Sequence, residues 1–188
     1  MYTEKRSFLF LEPLVANFLT DAKSCLYIGF RADSSTSFMD DLKPYGINNF
    51  YILEIFPANF KSIQNLSNTT LIPGDVRNVK QLCKEFNIQP DLTLWAHGPE
   101  HLEEKYLDDV LQDLTHVTKQ LVLCSAPYGH HPQGSMYGNK HEAHVTTFGE
   151  QIFQRNGYNC MIFKPCFFRG NGEIVGYSGG FDNPRKTD

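Results

Sequence analysis

The chain has no CxxC pair, no long apolar run and a single tryptophan, and each absence narrows what it can be. Its five cysteines, Cys25, Cys83, Cys124, Cys160 and Cys166, are an odd set without disulfide-framework or dithiol spacing. Three of them fall in apolar runs that read as buried strands, where a free thiol behaves as a small hydrophobe. A reducing, cytoplasmic setting follows, in which the sequons at Asn65 and Asn68 are chance matches. Glu12, Pro13 and Asn17 break the first apolar stretch, and nothing approaches the ~20 apolar residues of a spanning helix, so no signal peptide and no membrane partner are expected. Neither GxSxG nor a P-loop occurs, which leaves covalent hydrolases and P-loop enzymes unsupported. A basic surplus is also missing. With 17 basic against 21 acidic residues and a pI near 6.0, bulk charge gives no support for a nucleic-acid partner.

What remains is an ordinary globular composition, 188 residues with 41% apolar and 20% charged, which fits one domain over 1–188. Short apolar runs alternate with amphipathic stretches. The strands expected are Cys25–Phe30, Phe50–Ile55, Thr70–Ile72, Leu92–Trp95, Gln120–Ser125 and Asn159–Lys164, nearly all apolar, as strands covered on both faces are. Between them, Val79, Leu82, Cys83 and Phe86 have helical spacing, and so do Leu107, Val110, Leu111, Leu114 and Val117. Thr147 with Glu150 reads as a capping box, and Gly157 ends that helix. An N-terminal helix over 7–21 presents Val15, Phe18 and Leu19 on one side. After the turn Arg169–Gly172, Glu173–Tyr177 can return as an antiparallel edge strand. The expected fold class is therefore α/β, a single doubly wound, mostly parallel, Rossmann-like sheet with an antiparallel C-terminal strand. Ala126–Val145, with its glycines and prolines, is a long irregular loop of the kind that serves as a lid. The polar tail Ser178–Asp188 is expected to be loose.

In open α/β sheets ligands bind beyond the carboxyl ends of the strands, so those residues are the ones to read. The first strand runs into Gly29, Phe30 and Arg31, where a glycine lets the backbone approach a ligand closely. Glu54 and Ile55 end the second, 25 residues after Gly29, and a carboxylate there can accept from ribose hydroxyls. Asp75 and Val76 follow the third, and Asp75 could accept from an exocyclic amine. His97 ends the fourth, where it could act as a general base.

These segments in order resemble the class I S-adenosylmethionine-dependent methyltransferases over roughly residues 22–165. Leu26-Tyr27-Ile28-Gly29-Phe30 stands where their first motif does, and Glu54-Ile55-Phe56-Pro57-Ala58-Asn59 looks like their acidic strand-two end. Pro73-Gly74-Asp75-Val76-Arg77 is similar to the segment after strand three, and Asp91 to Leu102, ending Glu100-His101-Leu102, to that after strand four. The resemblance implies a class I methyltransferase fold and S-adenosylmethionine as cofactor. It places Gly29, Phe30 and Arg31 at the methionine part, Glu54 and Ile55 at the ribose and Asp75 with Val76 at the adenine. It also implies methyl transfer to a small or medium-sized acceptor, with His97 beside the sulfonium. The first motif departs from the family, with Arg31 and Asp33 at positions usually glycine. Arg31 could pair with the cofactor's carboxylate and Asp33 with its ammonium group. The alternatives are a non-catalytic binding or assembly protein of the same fold, and an NAD(P)-dependent oxidoreductase, for which GxGxxG is incomplete.

The histidines give no metal motif. His141-Glu142-Ala143-His144 is one residue short of HExxH, so it reads as part of a polar lid and no metal is expected. Glu100 reads as a helix N-terminal acid and His101 as a surface residue. The aromatics, 13% of the chain, include Tyr27, Phe30, Trp95, Tyr128 and Tyr137 at strand ends or in the lid, which predicts a ring-walled pocket.

Overall fold

A computed structural model describes residues 18–31, 36–136, 138–163 and 172–179, the Ser37 side chain aside. The expected helix over 7–21 before Phe18, Asp33, Tyr137, Cys166, the turn up to Asn171 and the tail from 180 onward lie outside these residues. Seven strands form one sheet: β1 (Ser24–Ile28), β2 (Asn49–Glu54), β3 (Thr69–Pro73), β4 (Leu92–Ala96), β5 (Leu121–Pro127), β6 (Asn159–Phe163) and β7 (Glu173–Gly179). Their spatial order is β3-β2-β1-β4-β5-β7-β6, parallel except for β7. The chain reverses its direction of travel across the sheet between β1 and β4, which pair with each other. A crevice opens there, at the topological switch point of the sheet.

The apolar strands alternate between two cores, as the strand period requires. Leu26 and Ile28 of β1 join Leu53 and Trp95 on one face, while Cys25 and Tyr27 join Ile52 and Leu94 on the other. The first face is covered by α2 (Val79–Glu85), α3 (Glu104–Val117) and α4 (Glu150–Arg155), through Val79, Cys83, Leu107, Leu111, Leu114, Ile152 and Phe153. The second is covered by α1 (Ser37–Leu42), which buries Phe38, Met39 and Leu42, and Phe18 and Leu19 pack against the same core. Burial pushes the Cys25, Cys83 and Cys124 thiols up in pKa, as suits inert core residues. Among the described residues, no helix is long and apolar enough to cross a membrane.

Two expectations are corrected, and one element is new. The C-terminal antiparallel strand is interior, not an edge: β7 pairs with β5 on one side and β6 on the other, and β6 is the edge. The burial explains it, since Ile174, Val175 and Gly176 are buried while β6 is half-exposed. A Cβ at Gly176 would overlap the Phe153 ring, so this strand passes directly beneath α4. The capping box does not form. Gly149 caps α4 without a side-chain bond, and the Thr147 hydroxyl instead lies 3.5 Å from His130 Nδ1. Finally, α1 carries no strong periodic signal in its six residues, and the sequence reading did not anticipate it.

Candidate functional site

A cavity of about 280 Å³ opens at the carboxyl ends of β1 to β4, just below the usual range for small-molecule sites. Gly29, Arg31, Glu54, Ile55, Asp75, Val76 and His97 all line it. Of the residues singled out at strand ends, Phe30 does not. Strand β1 stops at Ile28, and Gly29 turns the chain at φ +81°, which sends the Phe30 ring back into the core at 1% exposure. A Cβ at Gly29 would meet nothing, so glycine is required there for its backbone angle and leaves bare space in front of it.

The ring-walled pocket is also corrected. Tyr27 stacks on Phe38 in the core at 4.3 Å between centroids, and Tyr128 packs against the other core. Trp95 does line the cavity, as expected, and Tyr106 joins it; among the described residues no other Phe, Tyr or Trp does. Strand β4 and the turn after it hold the indole in place, because the Trp95 Nε1 edge occupies the position that a Gly98 Cβ would take. Gly98→Ala should therefore displace the indole and destabilise the fold by about 1–2 kcal/mol, as overpacking does. Trp95 is the sole tryptophan, so its emission spectrum and a urea melt check this directly.

Glu54 is the most perturbed acid of the site. It is 5% exposed, and its Oε1 accepts from the Phe56 amide at 2.7 Å. Burial raises its pKa to about 7, against hydrogen bonds from Phe56 and Asn59 that lower it, while the Glu142 charge from the lid adds to the rise. Asp75 behaves differently. Its carboxylate caps the short turn Val76–Asn78 through the Arg77 amide at 2.9 Å and pairs with the Arg77 guanidinium. Burial would raise its pKa, but these bonds and the Arg77 charge outweigh it and hold the group below its usual range. A ligand amine would thus meet an acid already bound to Arg77. Arg77 in turn lies 5.0 Å from the centre of the Tyr106 ring.

His97 sits at φ +49°, a strained setting for a non-glycine residue, and its amide donates to the Ser125 carbonyl at 2.9 Å. Its Nδ1 lies 3.6 Å from Glu100 Oε1 and its Nε2 3.4 Å from Glu173 Oε1. Glu100 does lie in the first turn of a short 3-10 helix, Pro99–His101, as expected, but it is buried there, and the surface reading of His101 is corrected. Glu100 is 2% exposed, and the His101 ring is half-buried, with Nδ1 3.1 Å from the Ala143 carbonyl. The lid is tied over Glu100, whose carbonyl accepts from the Val145 and Thr146 amides at 2.9 and 3.1 Å. This brings His144 against the cluster, with its Nδ1 2.6 Å from the His131 carbonyl. Burial lowers the His144 pKa, despite the opposing His131 hydrogen bond and Glu100 charge. His141 and His144 part company: His141 lines the cavity, His144 faces Glu100 and His101. A second cavity, of about 260 Å³ against α1, lies at the amino ends of β2 and β3, opposite the carboxyl ends, and is flanked by the exposed Asp40–Lys43 pair.

Sequence reasoning missed Arg77, Tyr106 and Asn139 as cavity residues, and His144 as a partner of Glu100. Tyr106 and Arg77 follow strand ends already under scrutiny, so their polar, outward spacing was a usable signal. No spacing rule could link His144 to residues more than 40 positions upstream.

No protein-family model matches the chain, and no curated protein sequence does either. Solved structures do match. A SAM-dependent methyltransferase from Archaeoglobus fulgidus superposes with TM-score 0.64 at 13% identity, covering 94% of this chain and 94% of that one. The methyltransferase domain of bacterial CtHen1 gives 0.59 at 15% identity, covering 92% and 95%. Human N-acetylserotonin methyltransferase, solved in complex with SAM, gives 0.56 at 14% identity, covering 90% of this chain and 51% of that one. Strand order, the single antiparallel strand and these likenesses agree: the chain has the class I S-adenosylmethionine-dependent methyltransferase fold.

Proposed function

We propose that the protein binds S-adenosylmethionine and transfers its methyl group to a small or medium-sized acceptor. One observation carries the reading. A buried carboxylate, Glu54, ends β2 beside the bare backbone of Gly29, at the switch point of a sheet of this fold. These residues fit the cofactor: Glu54 accepts from ribose hydroxyls, Gly29 leaves room for the chain, and Ile55 and Val76 offer apolar contact to the base. Arg31, at the cavity wall, supplies the positive charge for a ligand carboxylate.

When bound, S-adenosylmethionine supplies a methyl group already activated on a sulfonium. The protein therefore contributes mainly position, holding the acceptor in line and excluding water with the segment 128–145. An oxygen or nitrogen acceptor must also lose a proton. His97, on the cavity wall, is the group proposed to receive it.

The test is a titration with S-adenosylhomocysteine, followed by Trp95 emission and thermal shift, with NAD(P) in parallel. Saturable stabilisation by S-adenosylhomocysteine alone is expected. No response to it at millimolar concentration would overturn the reading in favour of a non-catalytic protein of this fold, and a response to NAD(P) alone in favour of an oxidoreductase.

A further inference from the structure

We propose that Glu100, His101 and His144 form a binding site for one divalent transition-metal ion. The ligand atoms of these three residues all lie within 4.8 Å of one another. Glu100 is buried, and neither of its carboxylate oxygens has a hydrogen-bond partner. Such a group is costly unless something positive sits against it. The imidazoles do not meet that need by hydrogen bonding. His101 Nε2 stands 3.9 Å and His144 Nε2 3.8 Å from Glu100 Oε1, beyond hydrogen-bond reach.

The other ring nitrogens settle what the Nε2 atoms are. His101 Nδ1 faces the Ala143 carbonyl and His144 Nδ1 the His131 carbonyl. A carbonyl only accepts, so each Nδ1 carries the proton, and in the neutral ring each Nε2 presents a lone pair. Two lone pairs and a bare carboxylate thus converge on one gap, each imidazole fixed from behind by a backbone carbonyl. That is how metal-ligating histidines are oriented. Donors at 2.0–2.1 Å from a tetrahedral ion stand about 3.4 Å apart, so the two Glu100–His separations of 3.8–3.9 Å need a slight contraction, and the remaining pair, within 4.8 Å, needs a side-chain shift of up to about 1.4 Å to close on it.

Two imidazoles with one carboxylate select a borderline ion such as Zn²⁺, Co²⁺ or Fe²⁺ over Mg²⁺ or Ca²⁺, which prefer all-oxygen shells. Three protein ligands leave coordination positions open. His101 belongs to the cluster and to the cavity wall alike, so the ion sits at the border of the cavity, not in a remote structural site.

The experiment uses the tag-free full chain, stripped with chelator and titrated with Co²⁺ in the absence of any nucleoside. Absorption in the visible d–d bands reports binding, and Zn²⁺ is the competitor. One equivalent of Co²⁺, displaced by one of Zn²⁺, is expected. His144→Ala and Glu100→Gln should each weaken binding roughly a hundredfold or more, since loss of an outer-shell partner alone costs 10–100-fold. His116→Ala, on the exposed side of α3, should leave it unchanged. Glu100→Gln also replaces a buried carboxylate whose oxygens make no hydrogen bond, so that variant should fold at least as well as the parent while losing the metal-induced rise in Tm. Absence of stoichiometric binding, or binding that survives His144→Ala in a folded variant, would overturn the site. S-adenosylhomocysteine binding is measured separately and bears only on the methyltransferase reading.

Discussion

Replacing Asp91 by alanine is expected to cost about 3 kcal/mol of stability, because this buried side chain ties the start of β1 to β4. Its Oδ2 accepts from the Lys23 amide at 2.8 Å, the Ser24 amide at 3.0 Å and the Ser24 hydroxyl at 2.8 Å, while Oδ1 lies 3.4 Å from Lys119 Nζ. Burial would raise its pKa, yet these donors and the Lys119 charge hold it below the usual carboxylate range. Alanine leaves the buried Ser24 donors without an acceptor, and unmade bonds to a charged group cost about 1–3 kcal/mol each before water intrudes. For a chain of this length the loss corresponds to a fall in Tm of about 6–12 °C. Asp91→Asn separates the terms. Its amide oxygen can take the place of Oδ2 and keep the three donors, so it should lose only the ion-pair share, about 1 kcal/mol, and show less acid sensitivity below pH 4. Urea melts of both variants check the ranking, with an unchanged m-value marking a pure stability effect. Because β1 and β4 flank the crevice, the same bonds fix the positions of Gly29 and His97.

The strands that frame this crevice were legible because they are covered on both faces and read as nearly all apolar runs: Leu26 to Ile28, Phe50 to Leu53, Leu92 to Trp95 (Thr93 aside) and Leu121 to Cys124. The strand-end residues then followed from topology alone, since a parallel sheet delivers every carboxyl end to one edge. What failed were features set by packing between distant segments. The interior place of β7 depends on a glycine lying under Phe153, and nothing near Gly176 in the chain reveals that contact. Phe30 and Tyr27 read as pocket rings from their place at a strand end, but the positive φ of Gly29 decides which way the next side chain turns. Spacing kept His141 and His144 together as a pair. The lid separates them by anchoring Val145 and Thr146 on the Glu100 carbonyl, a bond between segments 45 residues apart.

On the methyltransferase reading, affinity for S-adenosylhomocysteine should depend steeply on pH below neutrality through Glu54. With burial holding its pKa at about 7, half of the free protein carries a neutral Glu54 at that pH. A ribose diol donates hydrogen bonds, so the ionised form is the one that binds. The apparent Kd scales inversely with the ionised fraction, which falls about fiftyfold between pH 7 and pH 5, and flattens above pH 8. Binding at pH 7 should release about half a proton, visible as a dependence of the calorimetric heat on the buffer's ionisation enthalpy. Glu54→Ala should weaken binding about a hundredfold, the loss of two charge-assisted hydrogen bonds from a buried acceptor, and abolish the pH dependence. The same group acts in the opposite sense on the unliganded fold. An acid whose folded pKa lies above its unfolded value contributes full stability below about 4.5 and loses it as pH rises through about 7. Glu54→Gln removes that loss, so the variant should gain up to about 3 kcal/mol over the parent at pH 8, while binding the nucleoside less tightly. A variant that is more stable without ligand and weaker with it would mark Glu54 as a residue kept for binding at the expense of the fold. Equal stability and equal affinity in the two proteins at pH 8 would remove it from the site.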